Sequence, residues 1–398
     1  MMKRSWLMAL EGLFLGAVLG SCSKDIKILD KHETPDNQIS FNVSASSSSK
    51  GADLTTASIS ELTASAIWKE TPTSGGVNYF TGVSFTRSGQ SFVSASPYYW
   101  PEKGTMDFHA YSPSSSFQIG YPQGGYGSFK VTPGEYASTQ VDLIYANTNG
   151  KLKSGIYGGS TYSLYGVPLN FRHTESKVTV RVKNSSESLN FNITDVKVAF
   201  LSKSGTFTYA TANAQGQKDE STDGVGTLNA WDWTYGGEDE APSVGNTYEQ
   251  TFPEQSVQYG SSTSMPLEGS TDWILLPQTV RMATKYETED TGKPAAGSYV
   301  SLNVEIRNND KNIDTDGKEG LLIYKGWAMW PVAFEWAPGY HYTYTVDLCG
   351  GGYYETNQEN INPGTADLDP ILENALIRFV PVTVEPWELS SYDIEVTD

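Results

Sequence analysis

Apolar and polar residues alternate with a period of two along most of this chain, and beyond residue 21 no window holds an apolar 3.6-residue period for three turns. Successive side chains on a strand point to opposite faces, so such a chain folds into sheets with one buried face each. Ile39, Phe41 and Val43 alternate with Ser40, Asn42 and Ser44, which predicts a half-buried first strand. Val196, Val198 and Phe200 repeat the pattern around Lys197 and Ala199. Trp330, Val332, Phe334 and Trp336 share one face, Ala337-Pro338-Gly339 makes a turn, and Tyr342, Tyr344, Val346 and Leu348 return, which predicts a hairpin. The 38 Gly and 19 Pro supply the turns between strands, and 10 Trp, 24 Tyr and 15 Phe are residues that strands favour. The fold class is all-β, and disorder, coiled coil and collagen are excluded.

A length of 398 residues allows two or three domains, with two expected. Leu169 and Phe171 lie on one parity and Val178, Val180 and Val182 on the other, so a bulge or tight loop is expected at residues 173–177. His173 sits there, read either as a metal or catalytic histidine or, with more weight, as one closing hydrogen bonds at the irregularity. The polar run Asn184-Ser185-Ser186-Glu187-Ser188 is the best linker, which divides the chain into domains at 38–183 and 184–398. Residues 112–140, rich in Ser, Gly, Tyr and Pro, read as an exposed loop region too polar for core. Residues 211–247 read as a surface insertion, and 376–384, with Pro381 inside, as an edge or bulged strand.

The first residues read as an address. Lys3 and Arg4 precede a mostly apolar stretch, residues 6–19, that is too short to span a bilayer, and Leu19-Gly20-Ser21-Cys22 has the form of a lipobox. Residues 1–21 are then a removable signal peptide, Cys22 the lipidated N-terminus and 22–37 a tether. The other cysteine, Cys349, is left as a lone thiol expected to be buried. A net charge of -19 repels phosphate backbones, so nucleic acid is not a partner.

Motifs that carry chemistry are missing. The four histidines, His32, His109, His173 and His341, stand alone, with no Cys or Glu at zinc-ligand spacing. No G-x-S-x-G elbow and no phosphate-binding G-x-x-x-x-G-K-[ST] loop is present. Asn312-x-Asp314-x-Asp316-Gly317 resembles the start of a calcium loop, but Ile323 stands where a bidentate Glu belongs, which favours a turn over a weak ion site. No catalytic residue, metal or cofactor is implied. Tyr98, Tyr99 and Trp100, with Tyr353 and Tyr354, are read either as core aromatics or as a platform for sugar rings.

Asp142-Leu143-Ile144-Tyr145-Ala146, then Val167-Pro168-Leu169-Asn170-Phe171-Arg172-His173 and the strand at 178–182, resemble the end of the N-terminal domain in the fimbrillin family, the lipoprotein pilus subunits of Bacteroidota. Trp336-Ala337-Pro338-Gly339 with Tyr342 and Tyr344, and residues 379–387, are similar to that family's C-terminal domain. Ser23-Lys24-Asp25 after the lipobox looks like the short signals that carry such lipoproteins to the cell surface. The resemblance implies two β-sandwich domains of transthyretin-like, Greek-key type, no enzymatic activity, and a place in a fimbrium on the outer membrane. It also implies assembly by strand exchange: a trypsin-like protease cuts after a basic residue beyond the first strand, and a neighbour's terminal strand fills the groove.

On this chain the strand to be displaced carries Ile39, Phe41 and Val43. The lone basic residue between Lys31 and Lys69 is Lys50, so cleavage is expected between Lys50 and Gly51. The family pattern favours Arg at that place, and an uncut chain would serve as a fimbrial anchor. Tyr392, Ile394 and Val396 match the lost side chains at a period of two and are the candidate donor, the alternative being that they stay in their own domain. The expected partners are other fimbrial subunits, the outer membrane through the lipid, the protease, and a host or bacterial surface ligand. A monomeric surface lipoprotein that binds glycan through exposed aromatics is the alternative from another class.

Overall fold

The computed structural model describes residues 37–44, 59–113, 118–120, 128–152, 156–157, 160–161, 166–208, 233–235, 242–283, 297–350, 352–355, 368–371 and 382–386. Cys22, Lys50, Gly51, Tyr392, Ile394 and Val396 lie outside the described residues. What is described is all-β apart from a 3-10 position at Asn37 and a short 3-10 turn at Ala137–Thr139.

The first half supplies β1 (Phe41–Ser44), β2 (Glu61–Lys69), β3 (Val77–Ser88), β4 (Ser91–Ser94), β5 (Thr105–Ser112), β6 (Gln118–Gly120), β7 (Ser128–Val131), β8 (Ile144–Lys151), β9 (Ile156–Tyr157), β10 (Ser160–Thr161), β11 (Val167–Asn170) and β12 (Arg172–His173). Eight of them form one sheet in the order β11-β1-β4-β3-β2-β5-β8-β12. Four strand steps separate β1 from β5, roughly 19 Å along a flat sheet. Yet the rings of Phe41 and Phe108 meet edge to face with centroids 5.2 Å apart. The sheet is therefore folded over on itself, and Ile39, Phe41, Phe85, Phe92, Phe108 and Trp100 fill the space between its layers.

The second half supplies β13 (Ser176–Asn184), β14 (Leu189–Leu201), β15 (Gly205–Thr208), β16 (Trp233–Thr234), β17 (Ser243–Val257), β18 (Ser261–Pro266), β19 (Trp273–Leu275), β20 (Thr279–Val280), β21 (Tyr299–Asn308), β22 (Leu322–Pro331), β23 (Phe334–Glu335), β24 (Tyr340–Asp347), β25 (Tyr353–Glu355), β26 (Leu368–Pro370) and β27 (Thr383–Pro386). One sheet runs β18-β13-β24-β27 with β19 also on β13, and a second runs β17-β14-β21-β22-β25-β26. Val178, Val180 and Val182 of the first face Val196, Val198, Val300 and Leu302 of the second across one core. Cys349 is buried at its margin, its thiol pushed up to about 11 chiefly by desolvation.

Several sequence expectations change here. The alternation at 330–348 is borne out, for Trp330, Val332, Phe334, Trp336, Tyr342, Tyr344, Val346 and Leu348 are all buried. Their hairpin is not formed: β24 pairs in parallel with β13, and β23 pairs with β20. Ala337-Pro338-Gly339 turns the chain from the two-stranded β20-β23 ladder into the sheet of β24, so Phe334 and Trp336 meet Tyr344 by side-chain packing rather than along a ladder. Phe334 stacks on Trp336 at 4.6 Å, and Trp336 Nε1 donates to the Tyr344 hydroxyl at 2.9 Å.

Of the two forms expected for the parity switch near residue 173, the tight loop is found, at Thr174 and Glu175 between β12 and β13, and not a bulge within one strand. Val167, Leu169 and Phe171 serve the first core and Val178 to Val182 the second, so the chain passes from one core to the other at 171–176. Residues 184–188 form a tight turn between β13 and β14 that buries Asn184 and Ser186 and leaves Ser185, Glu187 and Ser188 exposed. Asn184 Nδ2 donates to the carbonyls of Leu189 and Val257 at 2.8 and 3.1 Å, and every ladder partner of β13 follows it in the chain. In the polar region 112–140, Phe129 and Val131 are buried, because β7 pairs with β15 and joins a small sheet β16-β15-β7-β6 drawn from both halves. Part of the expected edge strand is β27, at the rim of its sheet beside β24.

Candidate functional site

The seat of the first strand is the most telling part of the molecule. Phe41 to Ser44 pair in parallel with Val167 to Asn170, and Phe41 and Asn42 pair in antiparallel with Phe92 and Ser91. Before the strand begins, Ile39 N donates to Tyr98 O at 2.7 Å and Trp100 N to Asn37 O at 2.9 Å. Both edges of this segment are thus satisfied by neighbours distant in sequence. Ile39 and Phe41 are wholly buried, whereas Val43 packs against the core only in part. Phe41 lies edge-on to Phe85 at 4.8 Å as well as to Phe108. Gly166 closes the far side, since a Cβ there would fall 2.7 Å from the Phe41 carbonyl carbon.

Around the passage between the cores lies a second buried group. The His173 ring contacts the Asp142 carboxylate through Nδ1 at 2.8 Å. Glu175 Oε2 accepts from Leu143 N at 3.1 Å and from the Thr174 hydroxyl at 2.8 Å. Burial, and then the neighbouring Asp142, push the Glu175 carboxyl well above its usual pKa. Trp233 Nε1 donates to Thr174 O, Gly339 N to Glu175 O, and the Ser176 hydroxyl to Ala337 O, each at 2.8 Å. Tyr111, Phe129, Leu143 and Tyr145 pack here against Phe207, Trp233 and Leu276. These contacts seal His173 from solvent and give it the structural role, tying the two halves together.

The calcium-like loop proves to be built around an internal cation. Arg307, on β21, sends its guanidinium into the loop, where Nε donates to Glu305 at 2.6 Å, Nη1 to Gly320 O at 2.9 Å, and Nη1 also to the Asp314 carboxylate. Lys318 adds a second bridge to Glu305 at 2.9 Å. Asp314 Oδ1 accepts the backbone N–H groups of Asp316 and Lys318. Asp314 is held below the usual carboxylate range, first by Arg307. Among the described residues no group of three or more His, Cys, Asp or Glu is placed to hold a metal.

Among the described side chains, which do not include that of Tyr354, the aromatic platform is not assembled. Trp100 is 1% exposed and packs on Phe108, Tyr98 leans on Phe80 at 4.7 Å, and Tyr99 and Tyr353 are half-buried. One feature that sequence reasoning missed is a cleft of about 600 Å³ lined by residues 135–138, by β17 and by Gly269 and Thr271. Its walls lie more than a hundred residues apart in sequence, and no spacing rule joins them.

With these features in place, comparisons with known proteins agree with the architecture. A family model described as fimbrillin-like matches residues 55–367, well over half of the chain. No curated protein matches. The chain is similar to a solved fimbrial protein from Bacteroides vulgatus ATCC 8482, with 11% identity, a TM-score of 0.50, and coverage of 88% of this chain and 99% of that one. A fimbrilin from Porphyromonas gingivalis W83 shows 13% identity, a TM-score of 0.40, and coverage of 90% and 100%. At such identities the first likeness is one of fold.

Proposed function

The chain belongs to the fimbrillin-like family and is a structural subunit of a cell-surface fimbrium, and on that premise we propose that it assembles by exchange of its first strand. The observation that carries this reading is the seat of β1, an inner strand joined to the rest of its sheet through the covalent segment 45–58. A cut between Lys50 and Gly51 severs that connection and leaves β1 held by ladder bonds and by packing alone. Burial of Ile39 and Phe41 contributes about 1.5–3 kcal/mol each, a quantity that a competing strand of equal pattern can replace. Departure of β1 bares the edges of β11 and β4 and an apolar slot beside Phe85 and Phe108, which is a template for an incoming strand.

The donor is residues 390–398 of another subunit, with Tyr392, Ile394 and Val396 entering the slot. Export proceeds through the lipobox, with Cys22 acylated and the tether 22–37 holding the uncut chain on the outer membrane. The cutting enzyme is a trypsin-like protease that accepts Lys. The two domains meet where the chain changes cores, at 171–176, and a surface ligand on a host or bacterial cell is the target of the assembled fimbrium. If no cut occurs, the same chain is a membrane-proximal anchor.

Mass spectrometry of surface-extracted protein tests the reading. A mature N-terminus at Gly51 supports a shaft subunit, and acylated Cys22 as the sole N-terminus overturns it in favour of the anchor. Deletion of residues 390–398 should abolish detergent-resistant oligomer ladders on unboiled gels, and ladders that persist exclude this donor.

A further inference from the structure

We propose that the cleft between the turn at residues 134–140 and β17 is a binding site for a neutral oligosaccharide. The cleft encloses about 600 Å³, within the range of small-ligand sites. Aromatic side chains in this molecule mostly fill cores, but Tyr136 is 60% exposed, more than any other described aromatic, and forms part of the cleft wall.

That exposure is built. Tyr136 O accepts from both the backbone N–H and the hydroxyl of Thr139 at 2.8 Å, and Gln140 Nε2 donates to Gly134 O at 3.1 Å. Gln140 Oε1 also accepts from Ile274 N at 2.6 Å, which fastens the turn to the second half. Gly134 has no room for a side chain, since a Cβ would lie 2.3 Å from Thr139 Oγ1. The turn bearing Tyr136 is thereby fixed, so a ligand orders little of it on binding.

The facing wall is fixed as well. The Gln250 amide is locked to the backbone of Thr271, donating at 2.7 Å and accepting at 2.8 Å. Glu249, 45% exposed, is held at 3.2 Å by Lys197, whose ammonium lies 3.9 Å from the centroid of the Trp327 ring. A sugar needs this combination: an aromatic side chain to lie against its C–H face, and an anchored carboxylate acceptor for its hydroxyls, here Glu249. Two carboxylates, Glu135 and Glu249, within a chain of net charge -19 disfavour acidic sugars and select neutral ones.

The test uses the intact, unassembled chain on an array of neutral oligosaccharides, with sialylated glycans and an Arg/Lys-rich peptide beside them. Neutral glycans should be retained. Tyr136→Ala should weaken binding by about tenfold or more at an unchanged melting temperature, while Tyr136→Phe binds like the wild type. Absence of binding to any neutral glycan, undiminished binding by Tyr136→Ala, or preference for the sialylated glycans or the peptide overturns the assignment. None of these outcomes depends on strand exchange, so failure here leaves the assembly mechanism untouched.

Discussion

Truncating Phe41 to alanine tests whether β1 is a wedge in its sandwich or a strap laid upon it. The side chain is fully buried, touches the rings of Phe85 and Phe108 edge-on, and sits on a strand paired on both sides. Phe→Ala in a core costs about 3–5 kcal/mol, and the larger values belong to sites that cannot collapse. Collapse is hindered here because β11 and β4 clamp the strand from both edges and Gly166 already touches its backbone. A loss near the upper end is expected for the first half of the chain. The assay is denaturant titration with hydrogen exchange read on peptides from β3 and β5, which separates the first half from the second. Asn42→Ala, on the half-exposed face of the same strand, serves as control and should move stability by no more than about 0.5 kcal/mol. A Phe41→Ala chain that keeps its exchange protection to within about 1 kcal/mol would refute the wedge, and with it the reason a freed groove should demand a new strand.

Two further outcomes follow from buried charge. Glu175 has its folded-state pKa raised above the usual 4.5, so the folded chain holds this proton more tightly than the unfolded one and stability falls as pH rises above about 4.5. Glu175→Gln, which carries no titrating carboxyl, should melt like the wild type near pH 4.5 and progressively higher than it toward alkaline pH; parallel melting curves at every pH would contradict the raised pKa. Arg307→Met removes the internal cation of the 309–320 loop and leaves Glu305, 7% exposed, without its shortest partner. Amide exchange in that loop should quicken on the order of tenfold, and unchanged exchange would show that Lys318 and Lys325 suffice.

Much of the core was legible because parity is a local property of an extended backbone. Each strand alternates regardless of its partner, so Ile39 and Phe41, Val196 and Val198, and the aromatic rows at 330–348 could be assigned to buried faces before any fold was known. Polar punctuation was less informative. The run 184–188 reads as a linker, yet the buried Asn184 and Ser186 cap a tight turn between β13 and β14, since Ser, Asn and Asp satisfy backbone groups in tight turns as readily as they solvate loops. The run 312–317 resembles the start of a calcium loop but favours a turn; it is a turn, and the cation it holds is supplied by Arg307 from the preceding strand.

The sequence alone determined the all-β class, the buried face of each clearly alternating strand, and the family. Tertiary structure decided which strand lies beside which, because partner choice depends on how two faces pack, and that is a property of residues far apart in the chain. It set β24 beside β13 instead of in a hairpin, seated β1 between β11 and β4, and carried Phe129 from a polar stretch into the junction. It also brought Tyr136 to Glu249 across one cleft. No alternation or spacing encodes that meeting, since it arises only when two separately patterned halves are locked together.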